Sequence, residues 1–245
     1  MRVAVAGATG TVGTLTVEEL ERRGHEVVAL SRSTGVDLMD GSGLAERLAG
    51  VDVVVDCLGP ATTREKVAVD VFTTTTRNLL DAERAAGVER HVVLSIVGID
   101  LAPHGYYLGK VRQEEVARAS DRRVTIVRAT QFHEFAEQML TAARLGPLQL
   151  APRLLSAPVS AAEVAVALAD VVEDEPDQQT VEVTGPEEHS MVDLVRAVAR
   201  ARGRRGPVLG FPMPGGRAVR EGALLSRSPW RVGTQTFAQW LDQRP

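Results

Sequence analysis

Gly7-Ala8-Thr9-Gly10-Thr11-Val12-Gly13 is the stretch that decides the fold. It follows a short apolar run, Arg2–Ala6, and opens into a helical pattern over residues 12–23, after which a second apolar run covers Glu26–Leu30. In such a turn one glycine permits a tight bend and another lets backbone N–H groups approach a pyrophosphate. A third lets helix and strand pack closely. The helix start meets the anion with unsatisfied donors and the positive end of its dipole. Without that context the run would be only a tight strand-to-helix turn. With it, Gly7, Thr9, Gly10, Thr11 and Val12 are expected to hold a dinucleotide phosphate.

Outward from the turn, strand and helix patterns alternate. Further strands are expected over 51–57, 91–95, 124–128 and 181–184, and further helices over 43–48, 64–86, 108–119, 161–173 and 191–202. The strands are nearly continuous apolar runs, Val53-Val54-Val55 for example, as strands covered on both faces require. Gly24 and Gly87 follow their helices as stop signals, and Ser160 with Glu163 reads as a capping box. The order predicts an α/β fold, a Rossmann-type doubly wound parallel sheet with a small irregular C-terminal cap. From residue 151 the alternation loosens, and Pro147, Pro152, Pro158, Pro207, Pro212 and Pro214 break the chain. Residues 1–245 are read as one dinucleotide-binding domain, with 151–245 contributing most of the substrate cap.

The bulk numbers exclude other classes. The net charge of -4 gives no general basic face for nucleic acid. One cysteine, Cys57, allows no internal disulfide and no thiolate zinc cage. No paired Cys or H-E-x-x-H marks a metal site, and no membrane-length apolar stretch or leader pattern is seen. A cytoplasmic protein acting on a small molecule, monomer or homodimer, without nucleic-acid or membrane partners, is the expectation.

The end of the second strand reads Ser31-Arg32-Ser33, where the acid that binds the ribose hydroxyl of NAD would stand. A guanidinium there suits a 2′-phosphate, so NADP(H) is expected over NAD(H). In an arginine-rich chain it also reads as a solvated surface group. Asp37 and Leu38, and Cys57, Leu58 and Gly59, fall at or just beyond strand ends and are expected to touch the cofactor, though turn chemistry explains them equally.

The 28 basic side chains include only two lysines, Lys66 and Lys110, and the chain has two tyrosines, Tyr106 and Tyr107. Tyr106 precedes Lys110 by one helical turn, on the same face. Ser95 ends the fourth strand.

With these residues in view the chain resembles the short-chain dehydrogenase/reductase superfamily, in particular its atypical, NmrA-like NAD(P)-binding branch. The likeness rests on GATGTVG at 7–13, LSIVG at 94–98, Tyr106-x-x-x-Lys110, VRATQFHEF at 127–135, VTGPEEHS at 183–190 and TFAQWL at 236–241. It implies that Tyr106 protonates a substrate oxygen, that Lys110 holds the nicotinamide ribose and lowers the tyrosine pKa, and that Ser95 orients the carbonyl. Tyr107 is the reserve acid. One departure is Cys57-Leu58-Gly59-Pro60, which stands where the typical branch has an Asn-Ala-Gly motif, so a relay asparagine is not implied.

By the same resemblance Thr130, Gln131, Phe132 and His133 line the substrate and nicotinamide pocket. Tyr107 and Phe211 are further candidates for it, Phe211 within a candidate apolar pocket with Phe132, Phe135, Met139 and Met213. His133 also reads as a structural histidine, and Phe132, Phe135, Met139, Phe211 and Met213 as ordinary core. Glu114 and Glu115 are expected to be solvated or paired with arginines. The expected function is NADPH-dependent reduction of a small carbonyl, quinone or conjugated compound. The alternatives are an NADP(H)-sensing regulator without turnover, and an NAD(P)-dependent epimerase or dehydratase.

Overall fold

Valine and alanine bury easily on both faces of a strand, and β1 (Arg2–Ala6) is buried from Val3 onward in the computed structural model. The structure describes residues 1–142, 144–145, 148–204, 206–213 and 216–244. Pro147 and Pro214, read as chain breakers, lie outside the described residues.

In chain order the elements after β1 are α1 (Thr11–Arg22), β2 (Glu26–Leu30), α2 (Leu44–Arg47), β3 (Val53–Asp56), α3 (Glu65–Ala86), β4 (Arg90–Ile96), α4 (Tyr106–Arg118) and β5 (Arg123–Ala129). They continue with α5 (His133–Ala142), β6 (Arg144–Leu145), β7 (Leu148–Pro152), β8 (Leu155–Ser156), α6 (Ala161–Glu173), β9 (Thr180–Thr184), β10 (His189–Ser190), α7 (Met191–Ala201), β11 (Val208–Phe211), α8 (Gly216–Arg220), β12 (Arg231–Val232) and α9 (Phe237–Asp242).

A seven-stranded sheet runs β12-β9-β5-β4-β3-β1-β2. β1 pairs in parallel with β2 on one side (Ala6 beside Leu30) and with β3 on the other (Ala6 beside Asp56). The strand order therefore reverses at β1, and the carboxyl ends of β1 and β3 form the switch point at which open α/β sheets bind ligands. The Rossmann-type α/β class read from the sequence is the class observed. Among the described residues no helix is long and apolar enough to cross a membrane.

The chain divides into two compact units. The first comprises Met1–Ser95, Gly105–Arg128 and Val164–Val181, and the second Ile96–His104, Ala129–Glu163 and Glu182–Pro245. In the first unit, buried Ala4, Ala6, Leu30, Val54 and Leu79 share one apolar cluster with Leu44 and Leu48. Arg23, at the end of α1, bonds Asp170 at 2.7 Å and Glu173 at 2.6 Å, tying α1 to α6. The second unit adds a three-stranded sheet, β11-β7-β6, and a two-stranded one, β10-β8. In it Ser160 Oγ accepts from Glu163 N at 3.2 Å, one half of the expected capping box. The Glu163 carboxylate instead accepts from Thr234 N at 2.6 Å and Gln235 N at 3.2 Å.

α3 and α4 meet at Gly109. A Cβ there would lie 2.8 Å from Phe72 Cδ2 and 2.9 Å from the Ala68 backbone, closer than packed side chains approach. Gly109→Ala is expected to destabilise the fold. Overpacking of about 1–3 kcal/mol outweighs the helix-propensity gain of about 1 kcal/mol. Chemical denaturation measures it, and an unchanged midpoint would mean that the helices have room to spare.

Candidate functional site

The turn after β1 is shaped for an anion. Gly7 has φ +72°, a left-handed conformation, and a Cβ on it would lie 3.0 Å from the Cys57 carbonyl group. A Cβ on Gly13 would lie 2.1 Å from the Gly7 oxygen, so only glycine lets α1 start this close to β1. Gly10 N donates to Gly7 O at 2.9 Å and closes the turn. The start of α1 has no side-chain cap and no acidic residue in its first turn, and Thr9, Gly10 and Thr11 are exposed. Uncapped first-turn donors on an open glycine cradle fit a pyrophosphate, so the residues present fit a dinucleotide. Val12, Leu38 and Cys57 are buried and offer backbone rather than side-chain contacts.

Beyond β2, Arg32 is exposed, and its guanidinium makes no hydrogen bond or ion pair among the described residues. Ser31 and Ser33 share a 2.8 Å hydrogen bond beside it. Asp37 Oδ1 accepts from Met39 N at 2.8 Å, the turn chemistry its sequence allowed. Asn78, from α3, fastens the same segment by donating to Leu38 O at 2.9 Å and Met39 O at 3.0 Å.

α4 carries the two groups of greatest chemical interest. Tyr106 meets the Phe72 ring edge-on at 5.3 Å, and its hydroxyl lies 3.2 Å from where a Cβ on Gly59 would stand. Burial pushes its phenol above the ordinary tyrosine value, and the charge of Asp56 adds to the effect. Lys110 is 4% exposed. Its ammonium donates to Leu58 O at 3.1 Å, Leu94 O at 2.8 Å and Gln113 Oε1 at 2.8 Å, and sits 4.4 Å from the Phe72 ring centroid. Burial lowers its pKa to about 8, and the opposing pull of Asp56 limits the fall. The structure thus brings Gly7, Cys57, Leu58, Gly59, Tyr106 and Lys110 together at the ends of β1 and β3. In the chain by itself, Tyr106 is held up rather than down. Tyr107, its neighbour, is buried. Burial also pushes the Cys57 thiol up to about 12, keeping it neutral.

Two residues singled out in the sequence, Ser95 and His133, lie in closed surroundings. Ser95 is 1% exposed and donates its proton to Glu114 Oε1 at 2.6 Å. Arg128 holds the same carboxylate through two nitrogens, at 2.9 and 2.8 Å. So placed, the serine ties β4 to α4. Both acids are arginine-paired, Glu114 with Arg128 and exposed Glu115 with Arg112. His133 is 0% exposed, and its Nε2 lies 3.1 Å from Gln235 O, among Phe237 and Trp240. Burial lowers its pKa, which favours the neutral ring. Gln131 is buried and Phe132 half-buried just before α5, and half-buried Phe211 ends β11, all within the second unit.

Sequence reasoning missed Asp56, Gln113 and Phe72. A signal for the first existed: an acid closing the all-valine run Val53-Val54-Val55 sits where a covered strand tolerates charge poorly.

Fold and turn together define a dinucleotide-binding protein. Residues 34–175, more than half of the chain, match the model of the NAD(P)H-binding family, and the chain belongs to that family. It is 34% identical over 112 residues to a 3-beta-hydroxysteroid dehydrogenase from Mycolicibacterium neoaurum, a match taking in 37% of this chain and 31% of that enzyme. The chain therefore covers about a third of that relative's length. Its fold is similar to that of an NADPH-dependent quinone oxidoreductase from Escherichia coli (TM-score 0.74, 18% identity, 98% of this chain and 99% of that one). It is also similar to UDP-glucose 4-epimerase from Thermus thermophilus in complex with NAD (TM-score 0.68, 22% identity, 99% and 93%). A third likeness is to the Citrobacter triphenylmethane reductase complexed with NADP(H) (TM-score 0.71, 17% identity, 93% and 93%). The fold is the Rossmann-type fold of NAD(P)-binding proteins, as the sequence resemblance implied.

Lys110 gives the fold a distinctive pH dependence. Between about 8 and the ordinary 10.5 the unfolded chain binds a proton at this position that the folded chain has released. Stability therefore rises with pH across that window, and the full penalty stands below it. Relative to Lys110→Met, the wild type is expected to gain up to about 3 kcal/mol in denaturant titrations between pH 7.5 and 10. Parallel curves would mean that the lysine is solvated.

Proposed function

We propose that the chain is an oxidoreductase of the short-chain dehydrogenase/reductase type, using NADPH to reduce a small carbonyl, quinone or conjugated compound. Residues 151–245 would supply most of the substrate cap of one dinucleotide-binding domain. The observation that carries the reading is Tyr106, whose hydroxyl lies beside bare Gly59 while Lys110 holds the carbonyl of Leu58 next to it. The quinone oxidoreductase, steroid dehydrogenase and dye reductase that this chain resembles support the same class of chemistry.

The turn from Gly7 to Val12 would hold the pyrophosphate and Arg32 the 2′-phosphate, with Ser31, Asp37, Leu38 and the backbone of residues 57–59 along the rest of the cofactor. When bound, the reduced nicotinamide supplies the hydride. The chain's own part is the proton. Tyr106, protonated at neutral pH, gives its hydroxyl proton to the substrate oxygen as the carbon is reduced, and regains one from water afterwards. Lys110 supplies the positive charge that makes the departing phenolate tolerable.

A second reading, NADP(H) sensing without turnover, has one observation in its favour. The phenol of Tyr106 is raised, and the three protons of Lys110 are already committed to protein acceptors.

Oxidation of NADPH with a panel of quinones, aldehydes and ketones separates the two. Tyr106→Phe is expected to lower turnover by about 100-fold or more while fluorescence-detected NADPH binding survives. Tight binding with no turnover by wild type or variant would favour the sensor. Cofactor choice is tested by Arg32→Asp, expected to weaken NADPH by at least about tenfold and NADH little. An equal loss for both would remove Arg32 from the 2′-phosphate.

A further inference from the structure

Lys110 does not stand alone in its burial. Its ammonium can only donate, and the Asp56 carboxylate can only accept. The Gln113 amide lies between them, its oxygen 2.8 Å from Lys110 Nζ and its nitrogen 2.8 Å from Asp56 Oδ2. That arrangement admits one orientation of the amide, and it links a buried cation to a buried anion. Asp56 is 0% exposed, and its other oxygen accepts from Leu58 N at 2.9 Å. Leu58 is therefore gripped at both ends, by Asp56 at its N–H and by Lys110 at its carbonyl. Gly59, beside the Tyr106 hydroxyl, is the next residue.

We infer that Asp56 and Gln113 are the positioning residues of Lys110: the Asp56 carboxylate, acting through the Gln113 amide, keeps the lysine protonated and fixed against the backbone of Leu58. The bearing of this on the cofactor rests on the proposed function, since residues 57–59 are cofactor contacts only in that reading. The groups facing Lys110 are few. Asp56 and Cys57 face it from β3 and the turn that follows, Gln113 and Glu114 from α4, the Leu94 carbonyl from β4, and the uncharged Phe72 ring from α3. Cys57 is neutral, and Arg128 already pairs with Glu114. Asp56 is the anion left to hold the proton on Lys110. Without it, burial acts on the ammonium with its main opposing charge gone, and the neutral amine has fewer protons with which to hold Leu58.

The composition makes the test simple. With two lysines in the chain, lysine labelled at its ε-carbon gives two side-chain signals, and exposed Lys66 serves as the internal reference. In the full chain without nucleotide, Lys110 is expected to titrate well below the ordinary lysine value. Asp56→Asn and Gln113→Leu should lower its midpoint by about one unit or more, a tenfold change in the protonation equilibrium, while Gln113→Glu raises it and Lys66 stays put. Gln113→Leu and Gln113→Glu carry the test if Asp56→Asn does not fold. A Lys110 midpoint unmoved in the folded variants overturns the inference.

NADPH is the second probe. Its affinity should fall in Asp56→Asn and Gln113→Leu, and the loss should deepen as pH rises past the lowered lysine midpoint. An NADPH affinity with wild-type pH dependence in both variants would overturn the link to the cofactor. If the lysine signal moves as expected but the wild type binds no NADPH at any pH, the lysine frame is supported and the proposed function falls.

Discussion

An ammonium removed from water must be given acceptors for all three of its protons, because an unpaired buried charge costs several kcal/mol, on the order of its desolvation. Lys110 meets that demand from three directions: the turn after β3, the end of β4 and its own helix. Each partner constrains something else. Leu58 O fixes the loop that carries Gly59, Leu94 O fixes where α4 crosses β4, and Gln113 passes the demand on to Asp56. Gly109 lets α4 come close enough to α3 for the lysine to reach the Phe72 ring. One buried cation thus sets the geometry of two helices and two strand ends.

At the end of β1 the constraint is steric rather than electrostatic. The Gly13 contact with Gly7 O brings the first turn of α1 against the strand, and the Gly7 contact with Cys57 brings that turn against β3. Since Cys57 is bonded to Leu58, which Lys110 holds, the steric and electrostatic frames meet within two residues. The loop of residues 57–59 is where a change in either would be felt by the other.

Most of this framework is legible in the sequence because it is made of local patterns. Two strands, Arg2–Ala6 and Glu26–Leu30, and the helix Ala161–Glu173 end where periodicity places their ends, since each is bounded by a turn, a glycine or a cap. Helix α4 begins at Tyr106, two residues earlier than the pattern suggested, because the tyrosines belong to its first turn. Helix α5 was missed altogether: it starts straight after Phe132 with no capping residue to announce it. The short strands of the second unit, two to five residues each, are too brief for alternation to register. At the site, Tyr106 and Lys110 are legible by spacing. The partners of the lysine are not, because Asp56 lies 57 residues from Gln113 and nothing local links them. Ser95 shows the converse. Its place at a strand end suggests an open hydroxyl, but the orientation of its side chain is set by Glu114 on another element.

The state of Tyr106 follows from these same partners. Phe72 touches both its ring and the Lys110 ammonium, setting an uncharged hydrocarbon face against each. The charges that add to burial in raising the Tyr106 phenol are those of Asp56 and Tyr107, both of which disfavour phenolate. The framework that stabilises the lysine therefore keeps the tyrosine in its acid form. A phenol held this way loses its proton only when positive charge or a strong acceptor arrives beside it. A dinucleotide that draws Lys110 toward its ribose, or brings charge of its own, would supply that change. Reductase and sensor differ in whether a substrate oxygen is then within reach of Tyr106, and the resting geometry of Tyr106 and Lys110 serves both.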